Sequence, residues 1–186
     1  MSMAFDKLVR DAADLADLLA SCRTQNGASL AELASRSPVL LVFLRHTGCT
    51  FCREALSDLS AARERLERKG IRIVLVHLGS QNAALEAVAR YGLGDVDRIG
   101  DPERRLYAAF GLKRGGWRQL AGWKALWRGV QAGLFAGHGL GRPRGDVRQM
   151  PGIFFLNRGA VALSWRHRTA ADRPDYERFA DAGLAV

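Results

Sequence analysis

Apolar positions follow two rhythms along this chain. From about Phe5 to Ser21 they recur at three- and four-residue steps, at Leu8, Ala12, Leu15, Leu18 and Leu19, which predicts an amphipathic helix. Asn26-Gly27 breaks that pattern. Ser29-Leu-Ala-Glu32 forms a capping box, so a short helix is expected over Leu30 to Ala34, with Pro38 ending it. Val39 to Leu44 is then continuously apolar, the signature of a strand buried on both faces. From Cys49 or Thr50 to Lys69 the period becomes helical, with Phe51, Ala55, Leu56, Leu59, Ala62 and Leu66 on one face and Lys69-Gly70 as a basic last turn and cap. Ile71 to Leu78 is a second buried strand, and Asn82 to Tyr91 a helix ended by Gly92.

Strand, helix, strand, helix in that order implies parallel strands joined by right-handed crossovers, hence an α/β architecture. A short strand at Val96 to Ile99 and a helix at Glu103 to Phe110 continue it. Gly152 to Leu156 and Ala160 to Trp165 are expected to form a hairpin turned by Asn157-Arg158-Gly159, and Asp175 to Ala182 a closing helix. The expectation is a single domain over residues 1–186, with an N-terminal helical extension at 1–36 and an insert at 112–148.

That insert changes the charge picture. From Lys113 to Arg148 there are eight basic residues (Lys113, Arg114, Arg118, Lys124, Arg128, Arg142, Arg144, Arg148) against one acid, Asp146. The whole chain carries a formal net charge of +9, so most of the excess sits here. Trp117, Leu120, Trp127, Val130 and Leu134 can share one helical stripe, which packs on the domain itself or docks on an anionic surface or a partner. At least one helix carrying Trp117 and Trp127 is expected, lying close to the Cys49 edge of the domain. No nucleic-acid recognition motif accompanies the basic charge.

The chemistry is concentrated in two residues. Cys49 and Cys52 follow a buried strand and open a helix. At that spacing they can approach closely enough to form a disulfide. The partial positive charge and unpaired N–H groups of a helix N-terminus favour a thiolate, the species that attacks disulfides and peroxides. His46 and Arg45 can add positive potential. Cys22 reads as a small buried hydrophobe. Zinc ordinarily takes four ligands, and His46, His77, His138 and His167 lack ligand spacing, so neither metal nor cofactor is expected. Three cysteines are too few for a disulfide scaffold, and the early helix carries Asp6, Asp11, Asp14 and Asp17. A reducing, cytoplasmic setting is therefore expected.

The run from Val39 through Cys49-Thr-Phe-Cys52-Arg-Glu resembles the thioredoxin-like superfamily. Within it, the closest resemblance is to the peroxiredoxin-like branch of the alkyl hydroperoxide reductase and thiol-specific antioxidant group, near the bacterial redox proteins related to selenoprotein L. The segments Asp101 to Gly111 and Asp146 to Phe154 resemble the same branch. The resemblance implies a thioredoxin-like fold, a central mixed sheet flanked by helices, and an antioxidant oxidoreductase with catalytic Cys49 and Cys52. It also implies a cis bond at Met150–Pro151, with Pro151 binding substrate; Met150, His46 and Thr47 are further candidate substrate-binding residues.

Two chemistries stay open on these residues. A thiol–disulfide oxidoreductase would attack through Cys49 and resolve through Cys52, the order favoured here. A peroxidase could attack through Cys52 and resolve through Cys49. Expected partners are a disulfide or peroxide substrate and an electron-donating thiol system. A non-catalytic module binding through the basic insert is the remaining alternative.

Overall fold

The computed structural model describes residues 13–45, 50–115, 148–169 and 172–186. Cys49, His46, Thr47, residues 1–12 and residues 116–147 of the basic insert lie outside them, so the expected Trp117–Trp127 helix does too.

Residues 13–21 are helical (α1). They are followed by α2 (Leu30–Arg36), β1 (Val39–Phe43), α3 (Thr50–Arg68), β2 (Arg72–His77), α4 (Gln81–Ala89) and β3 (Asp97–Gly100). The chain closes with α5 (Arg105–Ala109), β4 (Gly152–Asn157), β5 (Ala160–Arg166) and α6 (Tyr176–Leu184). The expected capping box forms: the Ser29 hydroxyl accepts from the Glu32 N–H at 3.1 Å, and the Glu32 carboxylate from the Ser29 N–H at 2.7 Å. The β4–β5 turn places Arg158 and Gly159 at positive φ (52° and 78°), as a tight hairpin of right-twisted strands requires.

One five-stranded mixed sheet runs β3-β2-β1-β4-β5. β1, β2 and β3 are parallel, while β4 runs antiparallel to β1 and β5 antiparallel to β4. Alternation along the strands divides the core in two. Leu40, Val42, Ile73, Leu75, Ile153 and Phe155 face α3 and α6, meeting Leu56, Leu59, Phe179 and Ala180. Val39, Leu41, Phe43, Val74, Phe154 and Leu156 face the other way, toward Leu19, Leu30, Leu33, Leu106 and Tyr107 from α1, α2 and α5. Helices thus cover both faces of the central strands, the mixed, helix-flanked α/β sheet expected from the sequence.

One expectation is corrected. No peptide bond among the described residues is cis, so Met150–Pro151 is trans. The trans isomer is the intrinsically lower one for X-Pro bonds, by about 0.5–1 kcal/mol. Here the neighbouring backbone ties suit it. Met150 N–H donates to the Lys113 carbonyl at 3.2 Å, and His167 N–H to the Pro151 carbonyl at 3.3 Å.

The two ends of the insert meet. Gly115 N–H donates to the Arg148 carbonyl at 2.6 Å, and Arg114 and Gln149 form an antiparallel bridge. The chain therefore leaves and rejoins the domain at one neck, directly before β4.

Candidate active site

β1 ends at Phe43 and α3 begins at Thr50, so the start of α3 lies at the carboxyl edge of the parallel strands. Ligands of open α/β sheets gather at that edge. Cys52 is the third residue of α3 and is only 5% exposed. The Arg45 N–H points at its Sγ at 3.3 Å. A donor aimed at the sulfur, at the positive end of a helix, stabilises a thiolate more than a thiol.

Arg45 is buried, and its Nε–H donates to the Gln149 carbonyl at 3.1 Å. Gln149 is buried in turn, and its Nε2 donates to the Leu112 carbonyl at 2.8 Å. Arg45, whose sequence position suits either added positive potential or a solvated loop residue, is therefore buried and joins the cysteine loop to the neck of the insert. Below them the buried Tyr107 hydroxyl sits between the carbonyls of Leu44 and Val76. Burial raises its phenol well above the usual range, so it remains a neutral hydrogen-bonding brace.

Cys52 opens into a pocket shared with Arg45, Pro151, His167, Asp172 and Tyr176, over an apolar floor that includes Val42 and Ile153. Cys52 and Pro151, expected to be neighbours, are brought together. Met150 is buried beside them and does not line the pocket.

His167, Asp172 and Tyr176 carried no local sequence signal. They meet Cys52 only because β5 ends, and α6 begins, beside α3. His167 is half-buried as a residue, but its Nδ1 is shut off from solvent and has no hydrogen-bond partner. Burial pushes its imidazole down to about 4, against a smaller opposite pull from the Asp172 carboxylate. Asp172 accepts from the Arg168 N–H (2.6 Å), the Thr169 N–H (3.2 Å) and the Thr169 hydroxyl (2.6 Å). Burial would raise its carboxyl; these bonds outweigh that and hold it below the usual range. Tyr176 is pushed up by burial and by the negative groups around it. Arg173 clamps this segment to α3, bidentate on Asp58 at 2.6 Å and reaching Glu54 at 3.2 Å. Among the described residues no three His, Cys, Asp or Glu side chains group as metal ligands.

A buried cysteine at a helix start, beside a proline at the head of the neighbouring strand, defines a thioredoxin-fold oxidoreductase of peroxiredoxin-like type. The chain belongs to the AhpC/TSA antioxidant enzyme family, whose model matches residues 58–171. That match begins six residues past Cys52. Peroxiredoxin-like 2A of Xenopus tropicalis is 26% identical over 163 residues, covering 83% of this chain and 67% of that protein. Prostamide/prostaglandin F synthase of Danio rerio is 25% identical over 181 residues, covering 90% and 84%. A peroxiredoxin Q structure from Xanthomonas campestris superposes with a TM-score of 0.57 at 18% identity, covering 88% of this chain and 87% of that one, a likeness of fold.

Proposed function

We propose that this protein is a thiol–disulfide redox enzyme that cycles Cys49 and Cys52 between dithiol and disulfide. The observation that carries the proposal is the burial of Cys52 at the helix start with the Arg45 N–H on its sulfur. A sulfur enclosed in this way suits the second, internal step. Cys49 attacks a substrate disulfide and forms a mixed disulfide. Cys52 then attacks Cys49 and releases the second substrate thiol. An electron-donating thiol system reduces the pair again. Pro151 and Met150, with His46 and Thr47, are the proposed substrate-binding residues.

The Arg45 N–H also supports a second reading, a thiol peroxidase in which a Cys52 thiolate attacks peroxide and Cys49 resolves the sulfenic acid. Stopped-flow reactions of reduced Cys49→Ser and Cys52→Ser with hydrogen peroxide and with a model disulfide separate the two. On the favoured reading, Cys49→Ser abolishes disulfide reduction and Cys52→Ser accumulates mixed disulfides. If Cys52→Ser is inactive while Cys49→Ser still consumes peroxide, the peroxidase reading replaces it.

A further inference from the structure

Cys52 must shed a proton before it can resolve a mixed disulfide. The thiol is nearly closed to solvent. Among the described residues, four other ionisable side chains line its pocket: Arg45, His167, Asp172 and Tyr176. Arg45 is a permanent cation. Tyr176 is held protonated by burial. Asp172 already accepts three hydrogen bonds from residues 168 and 169. His167 is different. Its Nδ1 faces neither solvent nor any hydrogen-bond partner. A buried ring nitrogen left without a partner is costly, and such atoms call for a reason. An imidazole carrying its proton on Nε2 leaves a lone pair at Nδ1, a group able to take that proton.

We propose that His167 is the acid–base group of the Cys52 step. The proposal rests on the dithiol reading given above. Once Cys49 has attacked, the first substrate sulfur leaves as thiolate and the second is bonded to Cys49. Cys52 gives its proton to His167, and the sulfur electron pair so released forms the Cys49–Cys52 bond. The bond from Cys49 to substrate breaks, its electron pair leaves with the substrate sulfur, and that sulfur takes the proton back from the imidazolium. The dithiol loses two electrons and the substrate disulfide gains them. Asp172 favours the transient imidazolium and burial opposes it. Arg166, next in the chain, is turned aside, with Nε–H on the Phe110 carbonyl at 2.8 Å and its charge over the Phe154 ring. Arg168 follows, exposed.

The test uses reduced full-length protein and a symmetric nitrobenzoate disulfide that frees one coloured thiolate per cleavage. The first release reports attack by Cys49, the second resolution by Cys52. In His167→Gln the first release should keep its rate. The second should slow by about 10²-fold or more, and what remains should climb steadily with pH as hydroxide takes over. A second release as fast as in the wild type overturns the proposal and leaves the dithiol reading standing. A wild-type protein that gives only the first release refutes the dithiol reading, and this proposal with it. Should His167→Gln fail to fold, ring-15N-labelled wild type supplies the test. The His167 Nδ1 signal should move as Cys52 passes from thiol to disulfide, and an unmoved signal overturns the proposal.

Discussion

Burial pushes down the imidazoles of both His77, at the end of β2, and His167, just past β5. His77 is 3% exposed, its Nδ1 lies 3.0 Å from the Gly79 carbonyl, and its imidazole is pushed below the ordinary 6.5, chiefly by desolvation. His167 is pushed down to about 4. In the unfolded chain both return to about 6.5, so between about pH 6.5 and about pH 4 the unfolded state binds more protons. Stability is therefore fully present above about pH 6.5 and is lost as pH falls through that window. Since one pKa unit corresponds to about 1.4 kcal/mol, and the ring of His167 is partly exposed, its share is on the order of 1–3 kcal/mol. Urea titrations at about pH 7.5 and about pH 5 should show a lower midpoint at the acid value, and His167→Gln should flatten the difference. Equal midpoints for the wild type would contradict the burial assigned to these rings. At this scale the sequence was only partly informative. Cys49 and Cys52 stood out because a C-x-x-C after a buried strand is a local pattern. The Arg45–Gln149 bond joins residues 104 apart, and nothing near either one announces it.

At the scale of elements, α6 packs against β4 through a glycine. Gly183 lies in the last turn of α6, where an added Cβ would come within 2.4 Å of Cδ1 and Cγ of Phe155. That ring is fully buried, so it has little room to yield. Alanine at a helical glycine ordinarily stabilises by up to about 1 kcal/mol, whereas overpacking a filled core costs about 1–3 kcal/mol. The clash should win. Gly183→Ala is expected to lower Tm, measured by circular dichroism, and an unchanged or higher Tm would mean that α6 stands farther from the sheet. The elements themselves were legible from the sequence wherever burial was complete. The run Val39 to Leu44 is apolar at every position because β1 is central and covered on both faces. The α3 stripe followed its period as closely, and the β4–β5 hairpin was marked by its turn residues Asn157-Arg158-Gly159. Ends were less legible: the helix expected from Glu103 starts at Arg105, because the buried Asp101 carboxylate accepts the Arg105 and Tyr107 N–H groups and so fixes the first turn. The cis Met150–Pro151 bond was implied by the resemblance alone; the bond is trans, and the backbone partners on either side of it, Lys113 and His167, are distant in the sequence.

At the scale of the whole molecule, the sheet separates the cysteines. Cys52 belongs to the core layer under α3 and α6, and Cys22 packs against the layer on the opposite face. Burial raises the Cys22 thiol above its ordinary range, which keeps it protonated and a poor nucleophile. The fold thus isolates one sulfur and gathers Arg45, Pro151, His167 and Asp172 around another. The neck of the basic insert is tied through Gln149 to Arg45, one of the residues lining that pocket. The central claim is that Cys49 and Cys52 form the redox couple. Peptide mass mapping of protein oxidised with one equivalent of a small disulfide tests it most directly. The peptide holding Cys49 and Cys52 should lose two hydrogens and regain them with dithiothreitol, while Cys22 remains alkylatable throughout. A stable oxygen adduct on a single cysteine, or a disulfide that includes Cys22, would contradict the account.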